Sequence, residues 1–113
     1  MNSNFTGFNT KEVTLAVSGN VTEGTPVKLS TNGDAAPCTP EEKFCGICSA
    51  VREGYASVIM TGYAVASYSG TTPAVGFNKL AANGNGGVAV NENGREYLVV
   101  GVDTAEETIE FLI

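Results

Sequence analysis

Cys45-Gly46-Ile47-Cys48 has the spacing of a dithiol that could cycle with a disulfide or hold a metal ion. Redox chemistry wants the first thiol at a helix N-terminus, where the dipole lowers its pKa. A zinc site wants four ligands, and the chain offers one further thiol, Cys38, and no histidine. Three cysteines are an odd number and no disulfide framework. Without histidine, Ser-His and Cys-His nucleophilic catalysis is excluded. Glu41-Glu42 and Glu106-Glu107 bring carboxylates together, but both pairs fall between apolar runs and read as solvated loop charge. Gly84-Asn85-Gly86-Gly87 lacks the Lys-Ser/Thr of a phosphate-binding loop. The turn tips Asn32-Gly33 and Asn93-Gly94 carry no lysine, so a biotinyl or lipoyl carrier does not fit. These residues predict neither an enzyme nor a bound cofactor or metal.

The elements that position these residues come in two copies. Val27-Lys28-Leu29-Ser30-Thr31-Asn32-Gly33 returns as Asn78-Lys79-Leu80-Ala81-Ala82-Asn83-Gly84, an offset of 79 − 28 = 51. Phe44-Cys45-Gly46-Ile47 with Ala50 returns as Val99-Val100-Gly101-Val102 with Ala105, an offset of 101 − 46 = 55. Ser57-Val58-Ile59-Met60 returns as Glu110-Phe111-Leu112-Ile113, an offset of 110 − 57 = 53. A repeat of this length frames the whole fold.

Val13, Leu15 and Val17 alternate with smaller or polar residues, which is a strand. Pro26 opens a strand at 27–29, and Asn32-Gly33 marks a hairpin. Residues 44–51, 57–67, 87–90, 97–102 and 108–113 also read as strands, with one helical turn at 40–43 capped by Thr39. The expectation is an all-β chain: a compact barrel or β-clip-like domain over 13–113, with pseudo-repeats at about 24–66 and 75–113 and little helix. Residues 1–12 read as a flexible arm carrying Phe5 and Phe8. The repeat puts the two thiols of the C-x-x-C on a strand, on opposite faces, as small apolar groups.

A net charge of −6, with six scattered Lys and Arg residues, argues against nucleic-acid binding. No 18-residue apolar window would span a membrane as a helix. The opening Met1-Asn2-Ser3-Asn4 has neither the basic nor the apolar region of a secretory leader, which predicts reduced thiols. Tyr55, Tyr63, Tyr68 and Tyr97 lie in or beside strands. Tyr63 and Tyr68, flanked by Ser and Thr, are candidate interface residues, since tyrosine joins an apolar body to a polar tip.

Gly24-Thr25-Pro26-Val27-Lys28-Leu29, the Asn32-Gly33 turn, Phe44-Cys45-Gly46-Ile47 with Ala50, Gly54-Tyr55, and Val58-Ile59-Met60-Thr61-Gly62-Tyr63-Ala64-Val65 together resemble the capsid decoration, or cement, proteins of tailed bacteriophages. The resemblance extends over Val13 to Ile113. It implies a β-rich, non-enzymatic virion protein, often a homotrimer, made in the bacterial cytoplasm and seated on the head exterior. There it would bind the major capsid protein and stabilise the shell. In that setting Phe5 and Phe8 would anchor the arm on the capsid by strand addition. A carbohydrate-binding or head-fibre β module, with Tyr63 and Tyr68 as its platform, is the alternative expectation.

Overall fold

The computed structural model describes residues 11–113, so Phe5, Phe8 and most of the expected arm lie outside the described residues. The described chain is all β, with no helix. The first half runs β1 (Lys11–Ala16), β2 (Pro26–Leu29), β3 (Ala35–Pro37), β4 (Gly46–Arg52) and β5 (Tyr55–Thr61). The second runs β6 (Tyr63–Ser67), β7 (Gly76–Ala82), β8 (Val88–Val90), β9 (Arg95–Asp103) and β10 (Thr108–Leu112). Each half is a five-stranded antiparallel sheet, ordered β1-β5-β4-β2-β3 and β6-β10-β9-β7-β8. The second order is the first with every strand replaced by its counterpart.

The repeat is therefore real, but its bounds and register differ from the expectation. Residues 57–67 are two strands, because Gly62 turns the chain between sheets at a φ of 114°. β6 belongs to the second half and is the copy of β1. Lys11 and Glu12 sit in β1 instead of the arm. The hairpin pair Leu29 and Ala35 recurs as Ala82 and Val88, an offset of 82 − 29 = 53. The counterpart of Asn32-Gly33 is thus Asn85-Gly86, not Asn83-Gly84. The turns agree in detail. Ser30 Oγ accepts from the N–H groups of Asn32 and Asp34, as Asn83 Oδ1 accepts from those of Asn85 and Gly87.

β4 and β9 align at 99 − 48 = 51, through the pairs Cys48–Val58 and Val99–Phe111. The expected offset of 55, from matching Gly46 to Gly101, was wrong. Both pairings carry a bulge at the same place, after Cys48 in β4 and after Val99 in β9. The offset returns to 53 in β5 and β10. The swings come from the connections. Glu53 and Gly54, both at positive φ, make a two-residue turn between β4 and β5, whereas the β9–β10 turn is longer and places Glu107 at φ 54°. Because each slip is even, every side chain keeps its face of the sheet.

The expected helical turn is absent. Pro40 and Glu41 are the centre of a β-turn closed by Glu42 N–H to Thr39 O at 3.2 Å, with Glu41 at φ 68°. That is a type II turn with proline at its favoured position.

Each sheet curls until its edge strands nearly meet. Val17, just after β1, bridges Ala35 in parallel, and Tyr68 bridges Val88 likewise. Inside the first half lie Val27, Ala35, Cys48, Ala56 and Val58. The second core is larger and aromatic, with Tyr97 and Phe111 beside Leu80, Val88, Val99 and Ile109. It also takes Phe44 and Ile47 from the first half.

Candidate functional site

The longer connection between β3 and β4 builds the seam between the halves. Its type II turn aims residues 41–44 at the second sheet. Glu41 N–H donates to Ala82 O at 2.8 Å, and Ala82 N–H donates to Glu42 O at 2.9 Å. Phe44 then enters the second core. Its ring stacks on Tyr97 at 5.0 Å and meets Phe111 edge-on at 6.2 Å. The Tyr97 hydroxyl donates to Phe44 O at 3.0 Å. Burial pushes the Tyr97 hydroxyl pKa up, against the pull of nearby Arg95. Position 95, two before Tyr97 as Phe44 is two before Gly46, carries Arg95 in the second half. Arg95 lies over the Tyr97 ring at 5.1 Å instead of reaching another sheet.

The Glu42 carboxylate holds this connection in shape. It accepts from Thr39 N–H at 2.6 Å and forms an ion pair with Lys28 at 2.9 Å. The Thr39 hydrogen bond first, and Lys28 second, lower its pKa to about 2. Glu41 accepts from the Asn91 side chain. Glu106 and Glu107 are exposed in the β9–β10 turn, where Asp103 Oδ1 accepts from the N–H groups of Ala105 and Glu106. The structure does not bring the two glutamate pairs together in a cleft.

The thiols take no part in a reactive cluster. Cys48 is buried, and Cys45 packs against the same core cluster, not on an opposite face as its spacing suggested. Cys38 packs instead against the second core. Burial raises all three thiol pKa values, that of Cys38 to about 11. Among the described residues, no three His, Cys, Asp or Glu side chains are grouped to hold a metal.

The two candidate tyrosines are separated. Tyr68 is 6% exposed inside the second core, so it cannot serve as an interface residue on the surface, as its sequence context suggested. Tyr63 is half-buried on the outer face of the second sheet, beside Glu110. Burial, then the hydrogen bond its hydroxyl donates to the Glu110 carboxylate, raises its pKa. In the first half the same position is Glu12, which accepts hydrogen bonds from Ser49 and Ser57.

Strand pairing reveals a surface that sequence reading missed. Phe77 opposes Leu98, Leu98 opposes Leu112, and Leu112 opposes Tyr63. Directly opposed residues share a face, so these four form one apolar row across β7, β9, β10 and β6. Phe77 is 70% exposed and the other three are half-buried. Counted through the pairing with β4 and β9, where the offset is 51 and not the 53 of the hairpin, the matching row in the first half is Pro26, Ile47, Ile59 and Glu12. There Pro26 and Ile47 are buried against the second half. The alternation of β7, with Phe77 and Lys79 on one side and Leu80 and Ala82 buried, was the available signal. A shallow depression of about 670 Å³ adjoins this face, lined by Val75, Val102, Asp103 and Glu110.

Comparison with protein-family models gives no match, and comparison with curated proteins gives none either.

Proposed function

We propose that this chain is a structural protein of the tailed-phage head exterior, binding the major capsid protein and stabilising the shell. The observation that carries this reading is the open edge of β1. Among the described residues β1 ends its sheet, and only Leu15 of its six residues is even half-buried. An edge with free backbone donors and acceptors is a template for strand addition, by which one sheet extends onto another protein. Residues 1–10 lead directly into this edge, with Phe5 and Phe8 as the apolar anchors. The sequence resemblance to cement proteins points the same way. Many weak contacts repeated over a lattice would hold the protein in place by multivalency, and a homo-oligomer, the trimer that the resemblance implies, would raise it further. A glycan platform has lost one of its two tyrosines to the core, and no other observation favours it.

The test uses phage heads stripped of decoration and purified protein. The full chain is expected to co-sediment with heads and raise their disruption temperature. A variant lacking residues 1–10 is expected to fold, by circular dichroism, yet bind heads at least tenfold more weakly. Equal binding by the two would sink the arm, and no binding by either would sink the reading.

A further inference from the structure

The chain makes one large contact between its halves, and each half keeps the side of that contact it has not used. In the internal joint, the outer row of the first sheet (Pro26, Ile47, Ile59) lies against the second half. The second half receives it at the start of β6 and at the β7–β8 hairpin, where Ala64 is 1% and Ala82 3% exposed. The counterparts of Ala64 and Ala82 in the first half are Val13 and Leu29. They are 40% and 50% exposed. At the other end, the counterpart of the buried outer row is Phe77, Leu98 and Leu112, with Phe77 mostly in solvent.

We propose that copies of this chain join head to tail, the Phe77–Leu98–Leu112 row of one copy seating on the Val13 and Leu29 face of the next. The inference stands apart from the capsid reading. The occupant is a second copy because one contact covers both exposed surfaces at once. Residues 1–10 folding onto Val13 would leave Phe77 bare. The internal joint is the precedent, since the same strands of the same repeat already meet this way. Val13 and Leu29 are larger and more apolar than the alanines at their counterpart positions, and the row sets Phe77 where the internal joint has Pro26, as a contact without a covalent tether requires. The aromatic plug is not repeated, because Arg95 stands where Phe44 does and the 91–94 connection is short. The external contact is therefore the weaker one and rests on the row. It is heterologous, so it builds a closed ring or an open filament according to the rotation between copies.

The experiment is sedimentation velocity on the full chain, Phe77→Asp, Leu29→Asp and their equal mixture. The wild type is expected to associate with rising concentration. Each variant alone is expected to be monomeric, with a wild-type unfolding curve, since both positions are exposed. Mixed, they are expected to form a dimer that grows no further, because Leu29→Asp keeps the row and Phe77→Asp keeps the receiving face. A wild-type monomer at roughly 1 mM, a contact too weak to matter, would overturn the proposal. So would a mixture that stays monomeric, or a variant that still associates alone. A full chain that is monomeric, beside a chain without residues 1–10 that associates, would assign the Val13 face to those residues and equally overturn it.

Discussion

The two halves have one strand order, one pair of bulges and one hairpin chemistry, yet their cores close differently. The first is filled by its own small residues, Val27, Ala35, Cys48, Ala56 and Val58. The second has large aromatic walls, Tyr97 and Phe111, and takes Phe44 from its neighbour. Topology thus tolerates a large change in core volume, provided the connection between β3 and β4 supplies what the sheet lacks. The difference between the halves resides in the type II turn, the Phe44 ring it delivers, and the aromatic residues that ring meets in the second core.

The sharpest way to break this comparison is to remove that ring. Phe44→Ala is expected to cost about 3–5 kcal/mol, as a fully buried aromatic does. Its counterpart Arg95→Ala is expected to cost about 0.5–1 kcal/mol, the range of a cation–π contact. Urea unfolding of the two variants decides this, and equal losses would mean the halves are not asymmetric.

Gly84→Ala comes next. Gly84 has φ 80°, and an added methyl group would run into the Pro40 ring. The expected loss is about 1–3 kcal/mol, as overpacking costs. Thr31→Ala, at the matching place in the first hairpin, should stay within about 0.5 kcal/mol.

Glu42→Gln should act through pH. The Glu42 pKa is lowered in the folded chain, so its contribution is present above about 4.5 and lost as pH falls toward about 2. The pair is one-third exposed, so solvent screening limits the effect to roughly 1 kcal/mol. Thermal unfolding at pH 7 and pH 2 should show the variant and wild type converging in acid.

The smallest effect concerns the thiols. Their raised pKa values mean the folded chain keeps its protons longer than the unfolded one, so stability should decline as pH rises above about 9. At neutral pH, a thiol-reactive dye should label native protein far more slowly than urea-unfolded protein. Fast labelling of Cys48 would place it outside the first core.

Much of this architecture was legible in the residues, but its register was not. Asn-Gly turns and alternating valines declared strands, and the doubled Lys-Leu segment declared two copies. Within that doubled segment the alignment slipped only in the hairpin. An offset of 51, as at Lys28 and Lys79, holds where β2 and β7 pair with β4 and β9, but the hairpin itself is offset by 53, and Asn83-Gly84-Asn85-Gly86 offers two Asn-Gly turns between which sequence identity chose the first. A two-residue error survives unnoticed in a strand, since it returns every side chain to the same face. Tyr68 was misplaced for a different reason. Flanked by Ser67 and Ser69 it looks polar in sequence, yet it continues the buried face of β6 after Ala64 and Ala66, and the parallel bridge to Val88 carries that face past the strand's end. The exposed row escaped notice because its members lie on four strands, and adjacency across a sheet depends on a strand order that local pattern does not contain.

The placement of Phe44 makes the interior of the second half depend on the first. During synthesis the first half leaves the ribosome before the second, carrying a core made of its own residues. The second half completes its interior only with Phe44, and a first half that folded as it emerged would already present that ring. In that order one half would serve as a template on which the other matures. Reversing the two halves by circular permutation would leave the final contacts intact while making the dependent half wait, unfinished, for its support.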